Sequence, residues 1–102
     1  MLKIKNATAD YTGGGFYLYT GQLEDGRYFV ADNEYDSVCY LKESYGELID
    51  DWSNERWEEI YIGTEENKNA FCDVLKWIKA NKPKGNYLMT DIEATLSRIC
   101  KD

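Results

Sequence analysis

Gln22-Leu23-Glu24-Asp25-Gly26-Arg27-Tyr28-Phe29-Val30 decides the architecture of this chain. An Asp-Gly pair between two runs of apolar and aromatic residues is the strongest short-range signal for a β-hairpin. Upstream, Phe16-Tyr17-Leu18-Tyr19-Thr20 is a run of strand formers, and Gly13-Gly14-Gly15 before it permits a turn. At the start, Leu2 and Ile4 alternate with Lys3 and Lys5, the pattern of a half-buried strand. Downstream, Asp32-Asn33-Glu34 precedes Ser37-Val38-Cys39-Tyr40-Leu41, which reads as a fourth strand. Consecutive strands joined by short turns form an antiparallel meander.

Helical spacing follows. Tyr45, Leu48, Ile49 and Trp52 fall on one face of a short helix. Trp57 to Ile62 fits a continuation of that helix or a fifth strand. The strand is preferred, because Ile60-Tyr61-Ile62 is β-branched and aromatic and Gly63 ends it. After Thr64, at about 100° per residue, Ala70, Phe71, Val74, Leu75, Trp77 and Ile78 share one arc of a long helix. Asn69, Asp73, Lys76 and Lys79 share the other. Thr64 can cap its start, Glu65 and Glu66 suit the positive end of its dipole, and Lys79 and Lys82 suit the negative end. Asn81 to Gly85, with the single proline Pro83, stops it. Thr90-Asp91-Ile92-Glu93 reads as a capping box opening a last helix, with Ile92, Leu96, Ile99 and Cys100 as its apolar stripe. The expected fold is α+β: an antiparallel N-terminal sheet of four to five strands packed against two to three helices, mostly C-terminal.

Composition narrows the functions open to such a fold. With 102 residues, 43% of them apolar, there is material for one core, so residues 1–102 are expected to form a single domain. Nineteen acids against twelve bases give a net charge of −7, which argues against direct nucleic-acid binding, where clustered Lys and Arg must neutralise phosphates. The chain has no histidine, so it lacks both the usual proton shuttle at neutral pH and the commonest metal ligand. No run approaches the roughly 18 apolar residues of a membrane span, and Met1-Leu2-Lys3-Ile4-Lys5 lacks the apolar core of a signal peptide. A cytoplasmic location is therefore expected. Cys39, Cys72 and Cys100 agree with it, being odd in number and widely spaced, a poor framework for disulfides. Cys100 reads as a core residue, and Cys72 as a thiol at the edge of its helix.

Several motifs resemble sites and are better read as structure. Gly13-Gly14-Gly15 is followed by a strand pattern and not by the helix that a phosphate-binding loop must open. Asp32, Glu34, Asp36 and Glu43 mimic the spacing of a calcium loop, but Ser37 stands where the glycine of its sharp bend belongs. Asp50-Asp51, Glu58-Glu59 and Glu65-Glu66 are adjacent pairs that point apart, and nothing in their spacing makes them meet across a cleft. The cysteines have no CxxC pair and no histidine to activate a thiolate. No catalytic residues, no metal ligands and no cofactor are expected, and the chain reads as a non-enzyme.

Residues 24–66 stand apart. They hold fourteen of the nineteen acids against Arg27, Lys42 and Arg56, a local net of −11, while the rest of the chain is net +4. The chain also carries fifteen aromatics, nine of them Tyr. An ordinary solvated surface accounts for the acids, and sheet packing accounts for the aromatics. The functional reading is a face complementary to a basic surface on another protein, with carboxylates in the place of phosphates and aromatics as anchors. Its residues are Glu43, Glu47, Asp50, Asp51, Trp52, Glu55, Trp57, Glu58 and Glu59. The alternative is a small-molecule or sugar-binding module using the tyrosines of the hairpin.

Asn6 to Gly21, with the Gly13-Gly14-Gly15-Phe16-Tyr17-Leu18-Tyr19 core, and then Leu23 to Phe29, resemble the opening of small uncharacterised proteins of phages and mobile elements of Firmicutes. The likeness covers about a third of the chain and brings no catalytic residues with it. In size and acidity the chain also resembles, in a general way, anti-CRISPR proteins, several of which mimic DNA to block a nuclease. That resemblance implies an inhibitor of a nucleic-acid-binding enzyme; it rests on no shared motif.

Overall fold

The computed structural model describes residues 3–33, 37–42 and 65–100. Strands β1 (Ile4–Gly13), β2 (Phe16–Leu23), β3 (Tyr28–Asp32) and β4 (Ser37–Lys42) form an antiparallel sheet in the order β1-β2-β3-β4. Helices α1 (Glu65–Asn81) and α2 (Met89–Ile99) follow. An N-terminal antiparallel meander with C-terminal helices is the α+β arrangement expected. The helix expected over Tyr45–Trp52, the fifth strand at Trp57–Ile62 and the Thr64 cap lie outside the described residues.

β1 runs well beyond Lys5. It pairs with β2 from Ile4↔Leu23 through Ala9↔Tyr19 and Tyr11↔Tyr17 to Gly13↔Phe16. Ala7 and Ala9 alternate with Asn6, Thr8 and Asp10 and are buried, so a period of two is present. Small residues make that period quiet in the sequence. Both hairpin turns rest on glycines in the left-handed region, with φ of 63° at Gly14, 85° at Gly15 and 95° at Gly26. At the second turn Asp25 accepts from the Arg27 backbone N–H at 3.0 Å and from its Nε at 2.8 Å. These bonds, the backbone one foremost, hold the Asp25 carboxyl below its ordinary pKa.

One face of the sheet carries Ile4, Ala7, Ala9, Tyr17, Tyr19, Leu23, Phe29 and Ala31 into the core. Phe71, Val74, Leu75 and Ile78 of α1 are fully buried in the same cluster, as their spacing predicts. Trp77, from the same arc, is only half-buried. The Phe71 ring meets Tyr19 edge-on at 5.5 Å. α1 packs on both edge strands, β1 and β4, and α2 packs on α1. Each of these fully buried side chains stabilises the fold by roughly 1.5–3 kcal/mol relative to an exposed one.

Two expectations are corrected. Thr90 does not cap α2: the helix begins at Met89 with Leu88 at the cap position and no side-chain cap. Tertiary contacts outcompete the local box, because Asp91 accepts from the Tyr17 hydroxyl and Glu93 pairs with Lys79 of α1 at 3.6 Å. Nor are Cys72 and Cys100 separate thiols. They form a disulfide with Cα atoms 5.7 Å apart. Packing α2 on α1 brings together residues 28 apart in sequence, a proximity that spacing along the chain does not encode.

Candidate functional site

The residues expected to contact a partner, Glu43, Glu47, Asp50, Asp51, Trp52, Glu55, Trp57, Glu58 and Glu59, all lie outside the described residues, as do Glu34 and Asp36 of the calcium-like spacing. Their frame is described. β4 ends at Lys42, α1 begins at Glu65, and these two elements pack on each other. The acidic stretch between them is therefore tethered at both ends to one helix–sheet pair.

Among the described residues four carboxylates serve the fold. Asp10 accepts from the Asn86 backbone N–H at 3.1 Å, Asp25 holds Arg27, Asp91 holds Tyr17 and Glu93 meets Lys79. No group of three or more metal-ligating side chains gathers among the described residues. No described helix is long and apolar enough to cross a membrane.

The hairpin tyrosines divide. Tyr17 and Tyr19 are buried in the core, and Tyr11 is 46% exposed. Tyr11 packs edge-on against Tyr17 at 5.3 Å. The Tyr17 hydroxyl donates to Asp91 and accepts from the Leu88 backbone N–H at 3.4 Å. Burial, and after it the bond to Asp91, raises the Tyr17 phenol above its ordinary pKa. This tyrosine locks the hairpin to the start of α2.

One concave feature adjoins that lock. The α1–α2 connection forms a shallow cleft of about 560 Å³ lined by Lys82, Pro83, Lys84, Gly85, Tyr87 and Met89. Lys82 sits at the end of α1 with φ 49°, its N–H on the Ile78 carbonyl at 2.8 Å. This left-handed close turns the chain out of the helix, and Pro83 prevents its resumption. The connection is then strapped along the outer edge of β1. Thr8 Oγ1 donates to the Lys84 carbonyl, and the Tyr11 N–H donates to the Asn86 carbonyl at 2.7 Å. Gly85 allows this approach, since a Cβ there would stand 2.4 Å from the Ala9 carbonyl oxygen. The Tyr87 hydroxyl donates to the Pro83 carbonyl and closes the loop on itself. No protein-family model, curated protein or solved structure matches the chain. Function must be argued from these residues alone.

The sequence reading took Asn81–Gly85 only as a helix stop and missed this cleft. The available signal was Lys82-Pro83-Lys84, two cations flanking a proline outside any helix, with Tyr87 and Met89 just beyond.

Proposed function

We propose that this chain is a non-enzymatic, acidic binding protein that engages a basic surface of another protein. Its specific form is a nucleic-acid mimic that inhibits a nucleic-acid-binding enzyme, of the kind carried by phages and mobile elements. Charge separation carries the reading: a net of −11 over residues 24–66 against +4 elsewhere. The described carboxylates Asp10, Asp25, Asp91 and Glu93 are engaged within the fold, and recognition is assigned to Glu43, Glu47, Asp50, Asp51, Glu55, Glu58 and Glu59, with Trp52 and Trp57 as anchors. A fifth strand and a third helix in this segment belong to the same proposal. So does the absence of turnover: no hydrolase or transferase activity is expected with Mg²⁺, Mn²⁺ or Zn²⁺. Metal-dependent activity lost on changing Asp32, Asp36 or Glu43 to Ala would overturn it.

The cytoplasmic setting is part of the proposal, and the Cys72–Cys100 pair tests it. A reducing cytoplasm disfavours the bond seen in the structure, so the cytoplasmic setting requires that it be reduced to neighbouring thiols in the cell. Protein trapped from cells with an alkylating agent and found fully disulfide-bonded would move the location to an oxidising compartment.

Function is tested by displacement. The chain is titrated into a complex of labelled duplex DNA with a basic, histone-like protein at low and physiological salt. Competition at low salt that weakens for Asp50→Lys/Asp51→Lys supports the proposal. Equal weakening for Asp73→Lys/Asp102→Lys, the same charge change outside residues 24–66, reduces the effect to net charge and overturns it.

A further inference from the structure

We propose that the cleft at the α1–α2 connection binds a small organic anion with a flat apolar body, such as an arylcarboxylate or a nucleoside monophosphate. None of its named lining residues belongs to the acidic segment, and it does not depend on that segment's role. Size comes first: about 560 Å³ in a shallow cleft open to solvent gives a flat ligand room to lie against one wall. Lining comes next. Pro83, Tyr87 and Met89 supply apolar surface. The Tyr87 hydroxyl is already engaged by the Pro83 carbonyl, so Tyr87 contributes its ring to the cleft. A planar ligand covering a ring, a thioether and a pyrrolidine removes apolar area from water on both partners.

Charge selects the anion. Lys82 and Lys84 flank Pro83 on the cleft, both exposed, and neither pairs with a carboxylate among the described residues. Lys79, one turn earlier, is by contrast engaged with Glu93. In a chain whose acids outnumber its bases, nineteen to twelve, two uncompensated cations beside an apolar cleft form a local reversal of sign. Rigidity completes the case. Bonds from Thr8, Tyr11 and Lys82, together with the Gly85 approach to β1, hold the walls in place before any ligand arrives. A preformed wall spares the ligand the entropy of ordering it.

The two parts of the recognition can be separated by amide NMR titration of the full, disulfide-bonded chain. The probes are naphthoate, adenosine monophosphate, inorganic phosphate and uncharged naphthalenemethanol. Naphthoate or adenosine monophosphate should shift the amides of Lys82 and Lys84 to Met89 saturably, with Kd on the order of 0.1–1 mM for ligands of this size. The tighter of the two identifies whether carboxylate or phosphate is the natural anion. Phosphate and naphthalenemethanol should each bind about tenfold more weakly or not at all. Lys82→Gln/Lys84→Gln should weaken naphthoate by roughly three- to tenfold, as expected of two exposed ion pairs. Met89→Ala should weaken naphthoate while leaving phosphate unchanged. No saturable shift in these residues, phosphate binding as tightly as the ring-bearing anions, or lysine variants binding as the parent does would each overturn the site.

Discussion

The β1–β2 hairpin and the α1–α2 pair are both two elements joined by a short connection, yet they are held by different means. The hairpin is held locally: glycine turns, a ladder from Ile4↔Leu23 to Gly13↔Phe16 with register shifts near its two ends, and alternating side chains whose inner row enters the core. The helix pair is held from a distance, by the Cys72–Cys100 bond, the Lys79–Glu93 contact and the strap from Lys84 and Asn86 to β1. What is local in the hairpin is tertiary in the helices. A change in one region should therefore act through short-range geometry, and a change in the other through contacts that span the chain.

The largest effect tests the surface that both regions share. Leu75→Ala or Ile78→Ala empties a fully buried position between helix and sheet and should destabilise the protein by about 2–5 kcal/mol in denaturant unfolding. A loss under about 0.5 kcal/mol at both sites would mean that α1 does not pack there.

Next comes the crosslink. A bond between residues 28 apart restricts the unfolded chain, and Cys72→Ser/Cys100→Ser should cost about 3–4 kcal/mol. Amide exchange should quicken in α1 and α2 more than in β1 and β2. Uniform loss of protection would show that the two regions are not held separately.

Tyr17 joins the two regions, so its removal sharpens the contrast. Tyr17→Phe deletes a hydrogen bond to a carboxylate and should cost about 1.5–3 kcal/mol at neutral pH. Because the folded phenol lies above its unfolded value of 10.0, it binds its proton more tightly when folded. Its contribution is complete below pH 10.0 and is lost as the pH rises through the raised value. The Phe variant should show a shallower loss of stability in that alkaline window. Parallel pH profiles for the two proteins would contradict the role given to Tyr17.

The same distinction explains what could be read in advance. Asp25-Gly26, Phe16 to Thr20 and the Phe71, Val74, Leu75, Ile78 arc are local or periodic signals, and each led to the correct element. β1 beyond Lys5 was quiet because its inward residues are alanines, too small to stand out against Asn6, Thr8 and Asp10. The α2 cap failed because Asp91 and Glu93 had partners 74 residues away and on another helix. The disulfide had no linear signature, since it exists only after α2 docks, and Lys82-Pro83-Lys84 marked a basic connection without showing that it folds into a cleft. For the acidic site, charge and aromatic spacing were legible in the sequence, whereas whether those side chains share a face depends on packing that spacing does not encode.

The central claim is that the acidic segment steers this chain onto a basic surface. Its most direct test is the association rate of Asp50→Lys/Asp51→Lys with the histone-like protein at low and physiological salt. Charges steer encounter over a Debye length of about 8–10 Å near physiological salt, so the parent's association should slow steeply as salt rises. The reversal should lower the association rate more than it raises dissociation, whereas Trp52→Ala or Trp57→Ala should mainly shorten the lifetime of the complex. An association rate indifferent both to salt and to the reversal would contradict the account.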